Sequence, residues 1–541
     1  MSLPRRLSLW SIASLSLLGV ACGVLRGMAA EAPAKPQVRD AMKRATTFMV
    51  EKVSTHGGYV WSYLPDFSRR WGELEAKPSM IWVQAPGTPE MGQLFLDAYH
   101  ATGDEYYYRA AENAADALIA GQLPCGGWNY VIDFAGEQSL RQWYGTVGRN
   151  AWRLEEFLHY YGNATFDDSV SSLAAQFILR IYAEKHDAKF KPALDRAIQF
   201  VLASQYPIGA WPQRWPPMGE FSHHGLPDYT SFLTFNDDVI TENIEFLLQC
   251  YAVLGEKRVL DPILRGMNSY LVTQQGPPQP GWALQYTPDL QPAGARSYEP
   301  RAIATHTTAA NIGNLLKFYR LTGETKFLAR LPEALDWLEA VRLPPDVRKS
   351  SGGRGEWPTF LEVGTNRPLY LHRTGSNVVN GRYYADDQPQ NTIGHYSSFR
   401  SIDLAGLRQR YAAAKALPPD EVMKDSPLRP GATPGALPRI VTRAGGFSPG
   451  ARSGGGPAAR VAAIVASLNA DGYWPAPLRS TSHPYRGDGP KEIAPGDFSR
   501  TEVGDESDTS PYRAEKPVPG ISTATYLRNM ATLIDYLEKS R

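Results

Sequence analysis

The stretch Thr234-Phe-Asn-Asp-Asp-Val-Ile-Thr-Glu242 opens a helical pattern whose apolar positions are Ile244, Phe246, Leu247, Leu248, Tyr251 and Leu254. Thr234 or Asn236 is suited to cap this helix, because a short oxygen side chain accepts a backbone N–H that the first turn leaves unpaired. The adjacent carboxylates of Asp237 and Asp238 exceed what a cap needs. They either complement the helix dipole or belong to a functional site.

A loop rich in glycine and aromatic residues precedes this stretch, and related loops recur along the chain. Gln205-Tyr-Pro-Ile-Gly-Ala-Trp211 is one of them. Tryptophans in comparable loops recur roughly every 70 to 85 residues, a period that fits a helix-hairpin repeat, at Trp128, Trp211, Trp282 and Trp357. One hairpin cannot cover its own apolar faces, so the copies must stack, and equivalent loops should lie at the same end of the stack.

The repeats predict an all-α dominated fold, an α/α toroid of repeated helix hairpins with long Gly/aromatic loops. The predicted helices include Val38–Val53, Tyr107–Ala120, Val170–Tyr182, Phe190–Ala203 and Ile521–Leu537. Closure into a toroid is favoured because the apolar pattern of the C-terminal helix suits packing on the first helix. We expect one toroid domain over residues 31–541, with an exposed, mobile Pro/Gly-rich insertion at 424–458.

Residues 1–30 have the pattern of a cleaved signal peptide. Arg5 and Arg6 precede an apolar run that ends in small residues near Met28-Ala-Ala30. The run contains serines and is barely long enough to cross a bilayer, so we expect export to the periplasm or the medium without stable membrane insertion. Leu18-Gly-Val-Ala-Cys22 faintly resembles a lipoprotein signal, which leaves lipidation open.

Composition excludes several classes of function. The formal net charge is +1, from 56 basic and 55 acidic residues, so no global field recruits nucleic acid. Beyond the signal segment only Cys125 and Cys250 remain, which make neither a disulfide framework nor a zinc site. The abundant aromatic residues suit either loops that stack on sugars or rigid loop packing. A monomer is expected.

Several motifs together carry a resemblance to a known family. In order they are Asn163-Ala-Thr-Phe-Asp-Asp168, Gln205-Tyr-Pro-Ile-Gly-Ala-Trp-Pro-Gln213, Thr234-Phe-Asn-Asp-Asp238, Ala295-Arg-Ser-Tyr-Glu-Pro300 and Gly364-Thr-Asn-Arg-Pro-Leu369. Their order and spacing resemble the consecutive signatures of pectate lyases of polysaccharide-lyase family ten. A single Gly-x-Trp or Asp-Asp pair would be a weak signal, whereas the series over residues 166–400 is specific.

The resemblance implies an α/α toroid that cleaves an acidic polysaccharide, polygalacturonate, by calcium-assisted β-elimination. It implies calcium ligands at Asp237, Asp238 and Glu299, and the base that removes the C5 proton at Arg373. Substrate binding is expected of Asn236, Trp211, Arg214, Arg296 and Tyr298. Calcium prefers carboxylate oxygens, and a cation that neutralises a uronate carboxylate acidifies the neighbouring C5–H bond.

Simpler interpretations stand beside these roles. Arg373 lacks the expected acidic flank in Leu371-His-Arg-Thr-Gly-Ser376, and Arg214 stands where an aromatic residue is commoner in the family. Glu299 could pair with a neighbouring arginine at the surface, and Arg373 could be a solvated loop cation. Asp167 and Asp168 are expected to cap a helix, and His223-His224 to be a solvated pair.

Other functions remain open on the sequence. Gln122-x3-Gly-x-Trp128 and Gln205-x3-Gly-x-Trp211 resemble the QW repeats of triterpene cyclases, although no Asp-x-Asp-Asp motif is present. A glycoside hydrolase on the same toroid would need a second acid near Asp238. A glycan-binding protein without catalysis is the third alternative.

Overall fold

The computed structural model describes residues 33–148, 155–219, 227–350, 355–374, 382–390, 392, 396–432, 457–478 and 518–539. The predicted signal peptide, the His223-His224 pair and most of the predicted insertion at 424–458 lie outside these residues. Within them, no helix has both the length and the apolar character that crossing a membrane requires.

Helices form the framework. The α-helices in the described residues are α1 Lys35–Phe48, α2 Thr88–Thr102, α3 Glu105–Ala120, α4 Glu137–Thr146, α5 Val170–Lys185, α6 Lys191–Ser204, α7 Val239–Leu254, α8 Leu260–Thr273, α9 Thr305–Thr322, α10 Leu331–Ala340, α11 Pro345–Ser350, α12 Leu404–Ala416, α13 Pro419–Val422, α14 Pro457–Ser467 and α15 Thr523–Lys539. A π-helical turn, Met49–Val53, extends α1. The helices predicted from sequence are confirmed, with ends that differ by a few residues.

Consecutive helices pair into hairpins, and the hairpins pack side by side. The pairs are α2 with α3, α5 with α6, α7 with α8, and α9 with α10. The first helices of successive pairs contact one another, α2 on α5 and α5 on α7, and α12 packs on α9. The C-terminal helix α15 packs on α2 and α1, and the Tyr526 hydroxyl bonds Thr46 Oγ1 at 2.7 Å. The predicted α/α toroid is confirmed.

Each Gly/aromatic loop joins one hairpin to the next through a repeated set of hydrogen bonds. Trp211 is fully buried, and its indole N–H donates to the carbonyl of Val201 in α6 at 2.8 Å. The Gln205 amide donates to Gly209 O in its own loop and to Pro262 O in α8, both at 2.8 Å. The same bonds recur at Gln122 with Trp128 and at Gln274 with Trp282. The QW-like pattern therefore stabilises the joints of the toroid and gives no support to a cyclase.

The four loop tryptophans lie at the same end of the toroid. They lie beside the starts of α5, α7, α9 and α12, the inner helices of the toroid. The contacts that place them are Trp128 N–H to Ser171 Oγ in α5, Thr234 N–H to Trp211 O before α7, Trp282 N–H to Thr308 Oγ1 in α9, and the pairing of Trp357 with Arg400 before α12. The prediction that equivalent loops share one end is confirmed.

The loops also contain short antiparallel strands, which the sequence did not predict. They are β1 Ser62–Tyr63, β2 Arg70–Trp71, β3 Glu75–Ala76, β4 Met80–Trp82, β5 Val131–Asp133, β6 Ala164–Thr165, β7 Arg214–Trp215, β8 Leu233–Thr234, β9 Trp282–Ala283, β10 Gln285–Tyr286, β11 Pro292–Ala293, β12 Ala302–Ala304, β13 Trp357–Pro358, β14 Phe360–Glu362, β15 Pro368–Thr374, β16 Arg382–Asp386, β17 Phe399–Arg400, β18 Ala476–Leu478 and β19 Val518–Ser522. Most have only two or three residues, too few for an alternating pattern to register.

The strands form small sheets that hold the loops before the inner helices. The two five-stranded sheets have the orders β18-β19-β1-β2-β3 and β16-β15-β14-β12-β9. The pair β6–β7 lies before α5, and β8 pairs with β10 before α7. These pairings fix the segments that enter α5 and α7.

The glycine of the joint at Trp211 tolerates no side chain. Gly209 has φ +101°, and an added Cβ would lie 2.0 Å from the carbonyl oxygen of Arg265 in the next hairpin. Gly209→Ala should therefore lower the free energy of unfolding by at least about 1–3 kcal/mol, as measured by denaturant titration. Gly276→Ala is the matched control, because a Cβ there meets nothing within 4 Å. Equal stability of the two variants would contradict the role of the joint.

Candidate active site

Two equivalent turns place carboxylates at the starts of α5 and α7. Thr165-Phe-Asp-Asp-Ser169 and Thr234-Phe-Asn-Asp-Asp238 each contain a 3₁₀ turn, Asp167–Ser169 and Asn236–Asp238. The last two residues of each turn have positive φ, 47° and 58° in the first and 52° and 56° in the second. Left-handed backbone at non-glycine residues costs free energy, so the contacts of these turns must hold them.

Neither turn caps its helix through a side chain, which corrects four predictions from the sequence. Thr234 Oγ1 donates to the carbonyl of Phe232, and Asn236 Nδ2 points to acceptors outside α7. Asp167 and Asp168 likewise make no cap bond. The side chains of Asp167 and Asp168 bond to residues of other loops instead.

The guanidinium of Arg296 lies at the centre of these loops. Its Nη2 lies 2.5 Å from an oxygen of Asp167, and its Nη1 lies 3.0 Å from Glu299 and 3.6 Å from Asp237. Its Nε lies 3.3 Å from Glu156. Arg296, Asp167, Glu156 and Glu299 are all buried, so one cation holds three buried carboxylates and the partly exposed Asp237.

The charges of this group do not balance. Burial opposes ionisation of Asp167, yet Arg296 and hydrogen bonds lower its pKa to about 2. Removal from water and repulsion by Asp167 raise the pKa values of Asp168 and Asp237 well above the usual range. Burial also raises the pKa of Glu156 to about 8. The site therefore favours either protonated carboxyls or an additional cation.

Neutral side chains complete the hydrogen bonds of the cluster. Tyr130 Oη donates to Asp167 at 2.5 Å, and Gln213 Nε2 donates to the other oxygen of Asp167 at 2.7 Å. Gln84 Nε2 donates to Asp168 at 2.6 Å and to Glu73 at 2.8 Å. Gln213 belongs to a motif of the resemblance, whereas nothing in the sequence nominated Tyr130, Gln84 or Glu73.

The far side of the cluster is built on Glu299. Asn236 Nδ2 donates to Glu299 at 3.1 Å and to Asp237 at 2.6 Å. Tyr396 Oη donates to the same oxygen of Glu299 at 2.5 Å. Glu299 is buried, so the alternative of a surface ion pair is wrong for this residue. The predicted substrate residue Asn236 instead links Asp237 to Glu299.

The three predicted calcium ligands do not converge on one point. Asp237 and Glu299 meet through Asn236 and Arg296, whereas Asp238 is exposed and influences the pKa values of Glu242 and Tyr270. Asp168 rather than Asp238 is the acid that accompanies Asp237: the two turns contact each other, and repulsion from Asp168 helps to raise the pKa of Asp237. The backbone equivalence of the two turns explains the exchange: Asp168 aligns with Asp237, and Ser169 aligns with Asp238.

Several residues that the sequence predicted to bind the substrate are buried. They support the site through packing. Trp211 is fully buried in a joint, so a sugar cannot stack on it, and that prediction is wrong. Arg214 is also buried, with its guanidinium carbon 5.3 Å from the Tyr130 ring centre and 4.5 Å from that of Tyr161. Tyr298 is buried against Tyr383 and Tyr396. The structure therefore excludes direct sugar contact by Arg214 and Tyr298, as it does for Arg296.

The predicted base lies partly outside the described part of the chain. The backbone of Arg373 is in β15, opposite Tyr383 of β16. Its side chain lies outside the described residues, so its role stays a prediction. The neighbouring His372 is buried and lies 2.9 Å from Asp386.

The acids around Arg296 can supply some, but not all, of the oxygen ligands that calcium takes. Asp168, Asp237 and Glu299 offer only oxygen atoms, which a hard cation prefers, and their charge exceeds that of Arg296. Over the described ranges, no three His, Cys, Asp or Glu side chains are placed to hold a metal by themselves. A calcium ion here would take further oxygen ligands from water and from an acidic substrate.

Comparison with known proteins gives one family match. The model of the pectic acid lyase family matches residues 137–385. No curated protein matches the chain.

Solved structures resemble the chain only distantly. A mutant of the family 10 polysaccharide lyase from Cellvibrio cellulosa, in complex with trigalacturonic acid, is 17% identical with a TM-score of 0.33, covering 62% of this chain and 97% of that chain. The cellobiose 2-epimerase from Spirochaeta thermophila is 11% identical with a TM-score of 0.40, covering 96% and 99%. The GH76A α-1,6-mannanase from Salegentibacter is 13% identical with a TM-score of 0.30, covering 57% and 71%.

At these identities and TM-scores the solved structures contribute nothing to a functional assignment. The family match covers every motif quoted for the resemblance, from Asn163 to Leu369, and both aspartate turns with Arg296. Residues 137–385 therefore match the pectic acid lyase family, as the motifs predicted.

Proposed function

We propose that the protein is an exported polysaccharide lyase that cleaves polygalacturonate by β-elimination with the help of calcium. One observation carries the proposal: the motifs of the matched family region meet in space, where Asp167, Asp237 and Glu299 surround Arg296. Export rests on the signal-peptide pattern of residues 1–30. The buried acids of the site would repel a substrate that is itself acidic. Such a substrate can bind only if a cation lies between its carboxylates and those of the protein.

The reaction needs a base and a means of stabilising negative charge. The base takes the C5 proton of a galacturonate residue, a C4–C5 double bond forms, the C4–O bond breaks, and the leaving oxygen gains a proton. Calcium, when bound, would neutralise the carboxylate attached to C5 and so lower the pKa of that proton. Asp237 and Asp168, which are partly exposed above Arg296, would hold it.

Arg296 orients the acids of the site. Its bonds to Asp167 and Glu299 keep those carboxylates fixed beneath Asp237. The same carboxylates raise the pKa of Arg296 well above its usual value, which opposes its use as a base. Burial also keeps its guanidinium from reaching a sugar, so Arg296 positions the acids and does not serve as the base.

A glycoside hydrolase is favoured by one observation. Asp238 is exposed, and Glu242, one helical turn along α7, has its pKa raised to about 7 by burial. Partial removal from water raises the pKa of Asp238 as well, so these two carboxyls supply a general acid together with a second carboxyl one helical turn away. The products differ: hydrolysis adds water to each new pair of ends, whereas elimination leaves a double bond that absorbs ultraviolet light.

The role of Arg373 as the base can be tested by activity. Purified protein with polygalacturonate and calcium should generate the unsaturated product, followed by its ultraviolet absorbance. Arg373→Ala should remove most of this activity while oligogalacturonate affinity stays within about tenfold, or ~1.4 kcal/mol, because the base is needed in the transition state. Arg408→Ala, which breaks a surface pair with Asp336, is the control. Undiminished elimination by Arg373→Ala would show that Arg373 is not the base.

The two aspartates of the second turn, Asp237 and Asp238, should differ in their effect on calcium binding. Calorimetric titration with calcium, in the presence of oligogalacturonate, should show binding that weakens at least about tenfold in Asp237→Asn, because the variant loses a ligand charge. Asp168→Asn should behave alike, and Asp238→Asn should change affinity less than either. Loss of calcium binding in Asp238→Asn with no loss in Asp237→Asn would contradict the site.

A further inference from the structure

Arg400, in β17, is an interior arginine without a carboxylate partner. Two other interior arginines differ from it: Arg180 pairs with Asp97 at 2.6 Å, and Arg348 pairs with Glu356 at 3.0 Å. Arg214 also lacks such a pair, but its guanidinium lies over the rings of Tyr130 and Tyr161. Among the described residues, no carboxylate lies within ion-pair distance of Arg400, which is half-buried. Removal from water lowers its pKa, as expected for a charge that nothing nearby compensates.

The arginine is nevertheless held in place. Its Nε donates to Thr359 Oγ1 at 3.2 Å, and that hydroxyl in turn donates to the carbonyl of Ser397. The backbone of Arg400 pairs with Trp357, and its carbonyl accepts the Glu356 N–H at 2.9 Å. The main chain and one guanidinium nitrogen are therefore fixed, while no described residue bonds the two terminal nitrogens.

Arg400 lies beside the candidate active site. Four residues earlier in the chain, Tyr396 donates to Glu299 and accepts a bond from Asn236 at 3.0 Å. Burial lowers the pKa of Arg400, and the charge of Tyr396 opposes that shift. The segment that carries Arg400 is thus anchored to the carboxylate cluster through Tyr396, which places a positive charge near an acidic site.

The other titratable group near Arg400 stays neutral. His306, in the first turn of α9, packs its ring against Phe360 with the centres 6.4 Å apart. Burial, followed by the charge of Arg400, lowers the pKa of His306 to about 3. The imidazole therefore adds no charge to this pocket at neutral pH. A guanidinium that is preorganised and uncompensated suits a planar anion that can bind both terminal nitrogens.

We propose that Arg400 binds the carboxylate of a uronate unit adjacent to the one cleaved, and so selects acidic over neutral or esterified polysaccharide. The inference rests on the proposed function, because it assumes that a polyuronate lies across the carboxylate cluster. It assigns to Arg400 a part in substrate binding and none in proton transfer.

The test measures binding of trigalacturonate and of its methyl ester by calorimetry in the presence of calcium. Arg400→Gln should raise the Kd for trigalacturonate about 10- to 100-fold, as expected for loss of a charge-assisted pair, and should leave binding of the ester nearly unchanged. Arg400→Lys keeps the charge without the planar fork and should fall between. Arg342→Gln, an exposed arginine that pairs with Glu356, is the matched control.

The possible outcomes are distinct. A wild-type protein that binds neither ligand and forms no unsaturated product would overturn the proposed function together with this inference. A wild-type protein that binds trigalacturonate, with Arg400→Gln binding it equally well, would overturn this inference alone. If Arg400→Gln does not fold, as judged by thermal unfolding, the affinity of Arg400→Lys for trigalacturonate decides whether Arg400 binds the substrate. Equal wild-type affinities for the acid and its ester would also refute the role.

Discussion

The candidate site depends on one buried guanidinium. Arg296 contacts Glu156, Asp167, Asp237 and Glu299, and no second cation lies among the described residues that contact these acids. Removing one member of a buried ion network leaves the others uncompensated, which is far more costly than removing a surface pair. The geometry of both aspartate turns, with their left-handed backbones, is thus tied to the position of Arg296. The carboxylates outnumber this one guanidinium, and the excess of acidic groups could bind a further cation.

The toroid brings the residues of the candidate site together from distant parts of the chain. Arg296 and Asp167 are 129 residues apart in the chain, and Asn236 and Tyr396 are 160 apart, yet each pair is hydrogen-bonded. The repeated joints built on glutamine, glycine and tryptophan place the start of every inner helix at one end. A loop before one helix therefore always faces the loop before the next. The scaffold positions the site because equivalent segments of successive repeats meet there.

Much of this arrangement could be predicted from the sequence, for identifiable reasons. Hairpins, their order and the shared end of the loops follow from periodic apolar residues and from the spacing of Trp128, Trp211 and Trp282. Asp237 and Glu299 were selected by motif and do meet. The role of Trp211 was misjudged because a loop tryptophan looks the same in sequence whether it packs inward or faces a sugar. Asp168 was missed because only the backbone shows which aspartate of each turn faces Arg296, and Arg400 lies in a strand too short to predict.

If the acids around Arg296 form a cation-binding centre, calcium should stabilise the protein to an extent that depends on pH. Glu73 and Glu156 have pKa values near 8 when folded, against 4.5 ordinarily, so the calcium-free native state binds more protons than the unfolded chain between these values. Its free energy of unfolding should fall as pH rises from about 5 to about 8. Calcium should offset the fall by binding ionised carboxylates, raising the melting temperature of wild type more at pH 8 than at pH 5, and less in Asp237→Asn. A calcium effect that is absent at pH 8, or equal in wild type and Asp237→Asn, would contradict the account.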